Sequence, residues 1–396
     1  MRKILKNGLV INPVSGEIIL RDLYIENGRV CAEFTGGADE IIDCAGLYVA
    51  PGLVDIHVHF RDPGFTHKET LETGAQAALA GGYTTVVCMA NTKPVIDTPE
   101  LLAKQIDDSN LSIVNCRHAA CATIGQKGAE LTDFAALKSA GAAVISDDGQ
   151  AITDAVIMLA ALGAARDNDI VISTHSEDPR IPGRPPLAED YMIARDLAFA
   201  EFTGAKLHIQ HVTTASAVAL IRSAKARGVD VTAETCPHYL QLTIDNGQLT
   251  IYKVFPPLRS AFDVEAVILG VVDGTIDIIA TDHAPHSAAE KALPYAEAPG
   301  GMEGLETALA VCLTTLYHTG RLTLPDLMRK MSLNPALRLN LPRGGVCIGD
   351  IADIVIFNAD EPWVPAAVDL KSKSRNNPFL GKELRGRVKR TLVAGV

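Results

Sequence analysis

"LVDIHVHFRDPG", residues 53–64, is an apolar run that carries His57, His59 and Arg61 at every second position before it stops at Pro63 and Gly64. A strand sends residues i, i+2 and i+4 to one face, so these three side chains project together. Strands buried on both faces are ordinarily filled with Val, Ile and Leu. Polar groups at alternate positions of such a strand therefore need a task. Two neutral imidazoles side by side suit a divalent metal, each offering a nitrogen at about 2.0–2.1 Å. A pair of hydrogen-bonded core histidines is the plain alternative. It fits a lone His better than two at this spacing followed by Arg.

Working outward, short apolar segments recur at 53–58, 84–89, 112–116, 142–145, 170–174, 206–211, 229–234 and 276–280. Between them lie helical patterns such as "KETLETGAQAALAGG" and "TASAVALIRSAKARG", the second ending at a cap-like Gly228. Eight strand–helix repeats over about 250–300 residues predict an α/β protein with a (β/α)8 barrel of TIM type, ahead of an open doubly wound sheet. Both ends of the chain alternate differently, as in "DLYIENGRVCAEF" and "ADIVIFNA". They are expected to pair into one small flanking β-sandwich domain. The predicted domains are 1–50 and 345–396 for the two parts of that β-domain, with the catalytic barrel at 51–344 inserted between them.

The 396 residues are 47% hydrophobic and 21% charged, with positive mean hydropathy. That is enough for a large core and little disorder. A net charge of −11 without a Lys/Arg cluster argues against a nucleic-acid partner. The first residues lack the apolar core of a signal peptide, and no apolar run approaches the roughly 20 residues that span a bilayer. Cys31, Cys44, Cys88, Cys116, Cys121, Cys236, Cys312 and Cys347 form no CxxC pair. They are expected to be reduced core thiols of a cytoplasmic protein.

If His57 and His59 hold metal, other strand ends should supply partners, and they do. "VISTHSED" ends the fifth strand with His175, "HIQHVTT" the sixth with His211, and "IIATDHAPH" the eighth with Asp282. "VISDDG" ends the fourth with Asp147 and Asp148, one of which is the ligand. His208, three residues before His211, faces the other way and is expected to be a packed or hydrogen-bonded residue. Four histidines and two aspartates exceed the three protein ligands of one catalytic zinc. The surplus predicts two metals about 3.5–4 Å apart, bridged by a carboxylate and a hydroxide. Asp282 beside them is placed to take the nucleophile's proton and return it to a leaving nitrogen; its structural alternative is a helix N-cap.

"PGLVDIHVHFRDPG", "GGYTTVVCMANTKPV", "SDDG", "HSED", "HVTT", "TAETCPHYL", "PPLRS" and "ATDHAPH" follow one another along the chain. In this order they resemble the amidohydrolase superfamily and, within it, bacterial dihydroorotases of the long, class I type. The resemblance covers nearly the whole chain. It implies reversible interconversion of (S)-dihydroorotate and N-carbamoyl-L-aspartate in pyrimidine synthesis, through a metal-bridging hydroxide with Asp282 as general base and then acid. It implies that His57, His59 and Asp148 hold one metal, with Asp282 also touching it, and that Asp148, His175 and His211 hold the other. Many relatives use a carboxylated lysine as the bridge, where this type uses Asp. Zinc is the expected ion, with manganese or cobalt as other occupants of such ligands. Arg61 is suited to clamp a carboxylate. Asn91, His286, Gly300 and Gly301 are its implied companions at the substrate, and the loop 287–301 has the punctuation of a lid.

Three departures from the family pattern stand out: Ala90 in "MANT" replaces a proline, Phe255 replaces an asparagine before "PPLR", and the segment 176–190 is short. Phe255 keeps a hydantoinase or allantoinase as the rival function. A further rival is a partner subunit of aspartate transcarbamoylase, although inactive relatives of that kind typically lose metal ligands that are all present here. The resemblance leaves room for a homodimer and for a complex of an active copy with that enzyme.

Overall fold

The computed structural model describes residues 1–340 and 345–396. The first five strands are β1 (Arg2–Asn12), β2 (Glu17–Glu26), β3 (Arg29–Cys31), β4 (Glu40–Asp43) and β5 (Tyr48–Pro51). Eight strands follow in parallel: β6 (Leu53–Val58), β7 (Tyr83–Cys88), β8 (Asn115–Ala120), β9 (Val144–Ile145), β10 (Ile172–Thr174), β11 (Leu207–Ile209), β12 (Val231–Thr235) and β13 (Ile278–Ile279). The chain returns through β14 (Ile354–Trp363) and β15 (Leu384–Leu392).

The strands from β6 to β13 are hydrogen-bonded in sequence order, as expected of a TIM-type barrel. The seam between its first and last strands is closed by a Val58–His283 bridge and by the His59 N–H, which donates to the His283 carbonyl at 2.8 Å. The buried Asp55 carboxylate accepts the Thr281 N–H across the same seam at 3.1 Å. Every residue of β6 and β7 is buried, because helices cover one face and the barrel interior the other. Helix starts follow the side chains that can cap them: Thr98, Thr214 and Ser260 each accept from a backbone N–H of the helix they open. Gly228, predicted to end its helix, sits at φ +88° just after the C-cap Arg227 of helix Ala215–Ala226.

β8 begins three residues later than the apolar segment at 112–116 suggested. Its partners Thr85 to Cys88 pair with Asn115 to His118, so polar residues are drawn into the strand by their neighbours rather than by their own hydropathy.

The two chain ends build the expected β-domain. Its strands form one hydrogen-bonded sheet in the order β15-β14-β5-β1-β2-β3, with β4 also on β1. The sheet curls instead of stacking as two, because residues 349–352 pair back onto β3. A bulge at Asn7, φ +60°, resets the alternation of β1 so that Leu5 and Val10 face the same small core. β14 divides two cores: Ile354 and Ile356 point into that small core, while Val355 and Phe357 point into the barrel's. The expected boundary after residue 50 falls within β5. The one at 344 lies outside the described residues. Among the described residues no helix is long and apolar enough to cross a membrane.

Candidate metal centre

All six ligand-type side chains singled out in the sequence emerge at the C-terminal ends of barrel strands, and all six are buried. His57 is the penultimate residue of β6 and His59 lies just past its end, Asp148 follows β9, His175 follows β10, His211 follows β11 and Asp282 follows β13. The fold brings them into one cluster. Asp148 Oδ1 lies 3.2 Å from His57 Nε2, 3.7 Å from His175 Nδ1 and 4.0 Å from His211 Nε2. Its Oδ2 lies 3.2 Å from His59 Nε2. Asp282 Oδ1 is 3.1 Å from His59 Nε2 and 3.5 Å from His57 Nε2. His211 Nε2 and His175 Nδ1 approach to 2.8 Å.

These spacings fit a cation. Two ligand atoms at about 2.0–2.1 Å from one tetrahedral ion lie about 3.3 Å apart. Two overlapping trios, His57–Asp148–His211 and His57–His59–Asp282, keep their ligand atoms within 4.8 Å of one another. His57 Nε2 and Asp148 Oδ1 are buried without a hydrogen-bond partner, a costly arrangement unless something else binds them. Burial works against charge on these groups, yet mutual attraction overrides it. Asp148 is held well below the usual carboxylate range by His57, His175 and His59, and His57 is held well above the usual imidazole range by Asp148, Glu234 and Asp282. The cluster thus draws positive charge into itself. His211 is pushed down to about 3 by burial and by the neighbouring His175 and His57, which leaves it the neutral form that ligates. His211 and Asp282 adopt φ +34° and +47°, a left-handed region uncommon for non-glycine residues.

Asp147 and Asp148, equivalent on the sequence, have separate jobs. The Asp147 carboxylate accepts the Ala122 and Thr123 N–H groups at 2.8 and 3.0 Å and the Thr123 hydroxyl. It is spent on structure, while Asp148 faces the histidines. His208 turns away from the cluster, with Nδ1 2.8 Å from Thr232 Oγ1 and Nε2 3.0 Å from Glu234 Oε2.

Glu234 is a residue that the motifs passed over. It is fully buried, and its other oxygen lies 2.6 Å from His57 Nδ1. With a cation in place of the proton on Nε2, this bond would fix the His57 tautomer and leave Nε2 as the ligand atom. A carboxylate inside the strand segment "VTAET" was the available signal, since an inward-facing acid there needs a partner.

The implied substrate residues line a cavity of about 320 Å³ above the cluster, within the range of small-molecule sites. Arg61, φ +61°, donates to the Pro285 carbonyl at 3.3 Å and pairs with neither Asp62 nor Glu69 among the described residues. Asn91 spends its amide locally, with Oδ1 2.9 Å from His59 Nδ1 and Nδ2 3.3 Å from the Asp148 carbonyl. His286 donates from Nε2 to the Gly300 carbonyl at 2.9 Å. Burial and the cations Arg61, Lys68 and Lys291 push it down to about 3, so it is neutral. Gly301 sits at φ +132°, and a Cβ there would come within 2.6 Å of the Ala284 carbonyl. The loop 287–301 is tied down by Lys291, which donates to the Pro299 and Gly301 carbonyls at 2.9 and 3.0 Å.

Comparison with known proteins follows the same lines. Residues 46–184 match a family described as dihydro-orotase-like. The chain is 43% identical to a dihydroorotase of Pelobacter propionicus, over 100% of this chain and 99% of the relative. It is 42% identical to one of Clostridioides difficile, over 99% and 98%. Its fold is similar to that of L-hydantoinase (dihydropyrimidinase) from Arthrobacter aurescens, with a TM-score of 0.92, 26% identity, and 100% and 95% of the two chains covered.

Proposed function

The chain belongs to the dihydroorotase family, and from that premise we propose that it hydrolyses the cyclic amide of (S)-dihydroorotate to N-carbamoyl-L-aspartate, and the reverse, in pyrimidine synthesis. The carrying observation is Asp148 standing within 4.0 Å of all four histidines, with Arg61 on the cavity wall beside them. One carboxylate among four imidazoles suits a bridge between two ions. His57, His59 and Asp282 with Asp148 would hold one, and Asp148, His175 and His211 the other. Zinc is favoured by the His/Asp set. When bound, such ions supply Lewis acidity to the attacked carbonyl and make nearby water a nucleophile at neutral pH.

The chain's own groups do the rest. Asp282, 3.1 Å from His59 Nε2, accepts the nucleophile's proton on a carboxylate oxygen and delivers it to the leaving ring nitrogen. Arg61 forks onto the substrate carboxylate, and neutral His286, beside it at 3.5 Å, closes that end. The backbone at Gly300 and Gly301 forms the wall where a side chain would intrude.

Purified protein loaded with zinc should convert dihydroorotate to carbamoyl aspartate. Asp282→Asn should lower kcat by about 10²–10⁴-fold, the usual worth of a general acid–base. Turnover of hydantoin or allantoin without turnover of dihydroorotate would overturn this activity.

A further inference from the structure

The short segment after β10 carries a second arginine into the cavity. Arg184 lines it together with Arg61, Phe255 and Gly300. In the barrel order, β6 and β10 are four strands apart of eight. Both arginines line this cavity beside the histidine–aspartate cluster, Arg61 from just past β6 and Arg184 from the segment after β10.

Arg184 is braced in several ways. Its guanidinium carbon stands 3.9 Å from the centroid of the Phe255 ring. Its Nη1 donates to Glu177 Oε2 at 2.5 Å. Glu177 is itself fully buried and shared with Arg259, 3.6 Å from its other oxygen. The Arg184 carbonyl accepts from Arg259 Nη1 at 2.7 Å, and its backbone is held at φ +46°. The Phe255 ring packs against Gly300, where a Cβ would lie 2.6 Å from it. A guanidinium has five N–H donors. Glu177 takes one edge, and among the described residues no acceptor meets Nε or Nη2. The unused edge belongs to a residue that lines the cavity.

Resting on the dihydroorotase reading, we propose that Arg184, braced by Phe255 and Glu177, is a substrate-binding residue that donates its free edge to the ureido carbonyl of the ring. Dihydroorotate presents three acceptor groups to such a cavity. Arg61 takes the carboxylate, the cluster takes the carbonyl under attack, and the carbonyl flanked by two nitrogens remains. It needs a donor once water is excluded. Stacking on Phe255 holds the guanidinium plane at low entropic cost and strengthens it by cation–π attraction. Phe255, which departs from the family pattern, thus supports a donor in place of being one.

The test compares Arg184→Met with the wild type in the zinc-loaded enzyme, using two competitive inhibitors. Dihydrouracil carries the ureido end without a carboxylate, and succinate carries carboxylates without a ureide. Loss of a hydrogen bond from a charged donor corresponds to about tenfold or more. The KM for dihydroorotate should rise by that factor with a smaller change in kcat. Inhibition by dihydrouracil should weaken similarly, and inhibition by succinate should stay as it was. A KM within twofold of wild type, or equal weakening of both inhibitors, would overturn the assignment and leave the dihydroorotase reading standing. A wild type inactive on dihydroorotate would sink that reading itself. Should Arg184→Met misfold or lose metal, Phe255→Leu removes the stacking face and keeps the arginine. It should raise KM in the same direction, and no change there would refute the bracing.

Discussion

Replacing Glu234 by glutamine probes the metal centre without emptying it. An ionised carboxylate only accepts hydrogen bonds, so Glu234 takes one from His57 Nδ1 at 2.6 Å and one from His208 Nε2 at 3.0 Å. Both imidazoles then carry a proton on the Glu234 side, and with metal bound in place of its other proton His57 would offer the Nε2 lone pair to the ion. Glutamine keeps the shape but has a single carbonyl oxygen. If that oxygen stays on His57, the new NH2 faces His208 Nε2, and His208 must shift its proton to Nδ1 and donate to Thr232 Oγ1, 2.8 Å away. The rearrangement is sterically free, so folding should survive. What is lost is charge assistance at His57. A charge-assisted bond contributes about 1.5–3 kcal/mol where a neutral one contributes about 0.5–1.5. The difference of roughly 1–2 kcal/mol is about 5- to 30-fold in affinity, and outer partners of metal-bound histidines commonly account for 10–100-fold. Glu234→Gln should therefore weaken zinc binding about tenfold, measured by chelator competition, and excess zinc should restore most of the activity. Zinc affinity within twofold of wild type would refute the role given to Glu234. So would activity that saturating metal fails to restore.

Asp147→Ala should lower the unfolding free energy by about 3 kcal/mol in urea titrations by stranding three buried donors, yet leave the metal stoichiometry intact; Asp148→Ala should do the reverse, losing metal with little change in metal-free stability. His118 is pushed down to about 4 by burial and by Arg117. Its Nε2 donates to Ser109 Oγ, whose own hydroxyl donates to the Ile106 carbonyl. The folded pKa is depressed, so below about 6.5 the unfolded chain takes up the proton first, and stability falls between pH 6.5 and 4 by up to about 3 kcal/mol. Urea titrations of His118→Leu across that window should show this part of the acid slope removed.

Much of the site could be read directly from the strand ends, because a barrel collects its chemistry there and His57, His59, His175, His211 and Asp282 each stand where an apolar run stops. Parity could not choose between Asp147 and Asp148. β9 is two residues long, and past its end the backbone no longer alternates. Thr123, from the neighbouring strand's loop, decides the matter by claiming Asp147. Glu177 and Arg184 stayed hidden for a similar reason, since their partners Arg259 and Phe255 come from a loop about 70 to 80 residues on.

Local periodicity and residue type pointed by themselves to the eight-stranded barrel, to a flanking domain from the chain ends, and to the four histidines and Asp282 of the candidate site, since these follow from which residues share a face. Only the tertiary structure decided which carboxylate meets the histidines and which acid orients His57. It also decided how the seam closes at Val58 and His283, and that a second arginine lines the same cavity as Arg61. Those outcomes depend on contacts between residues far apart in the chain, where burial makes an unpaired polar group costly and so fixes its partner.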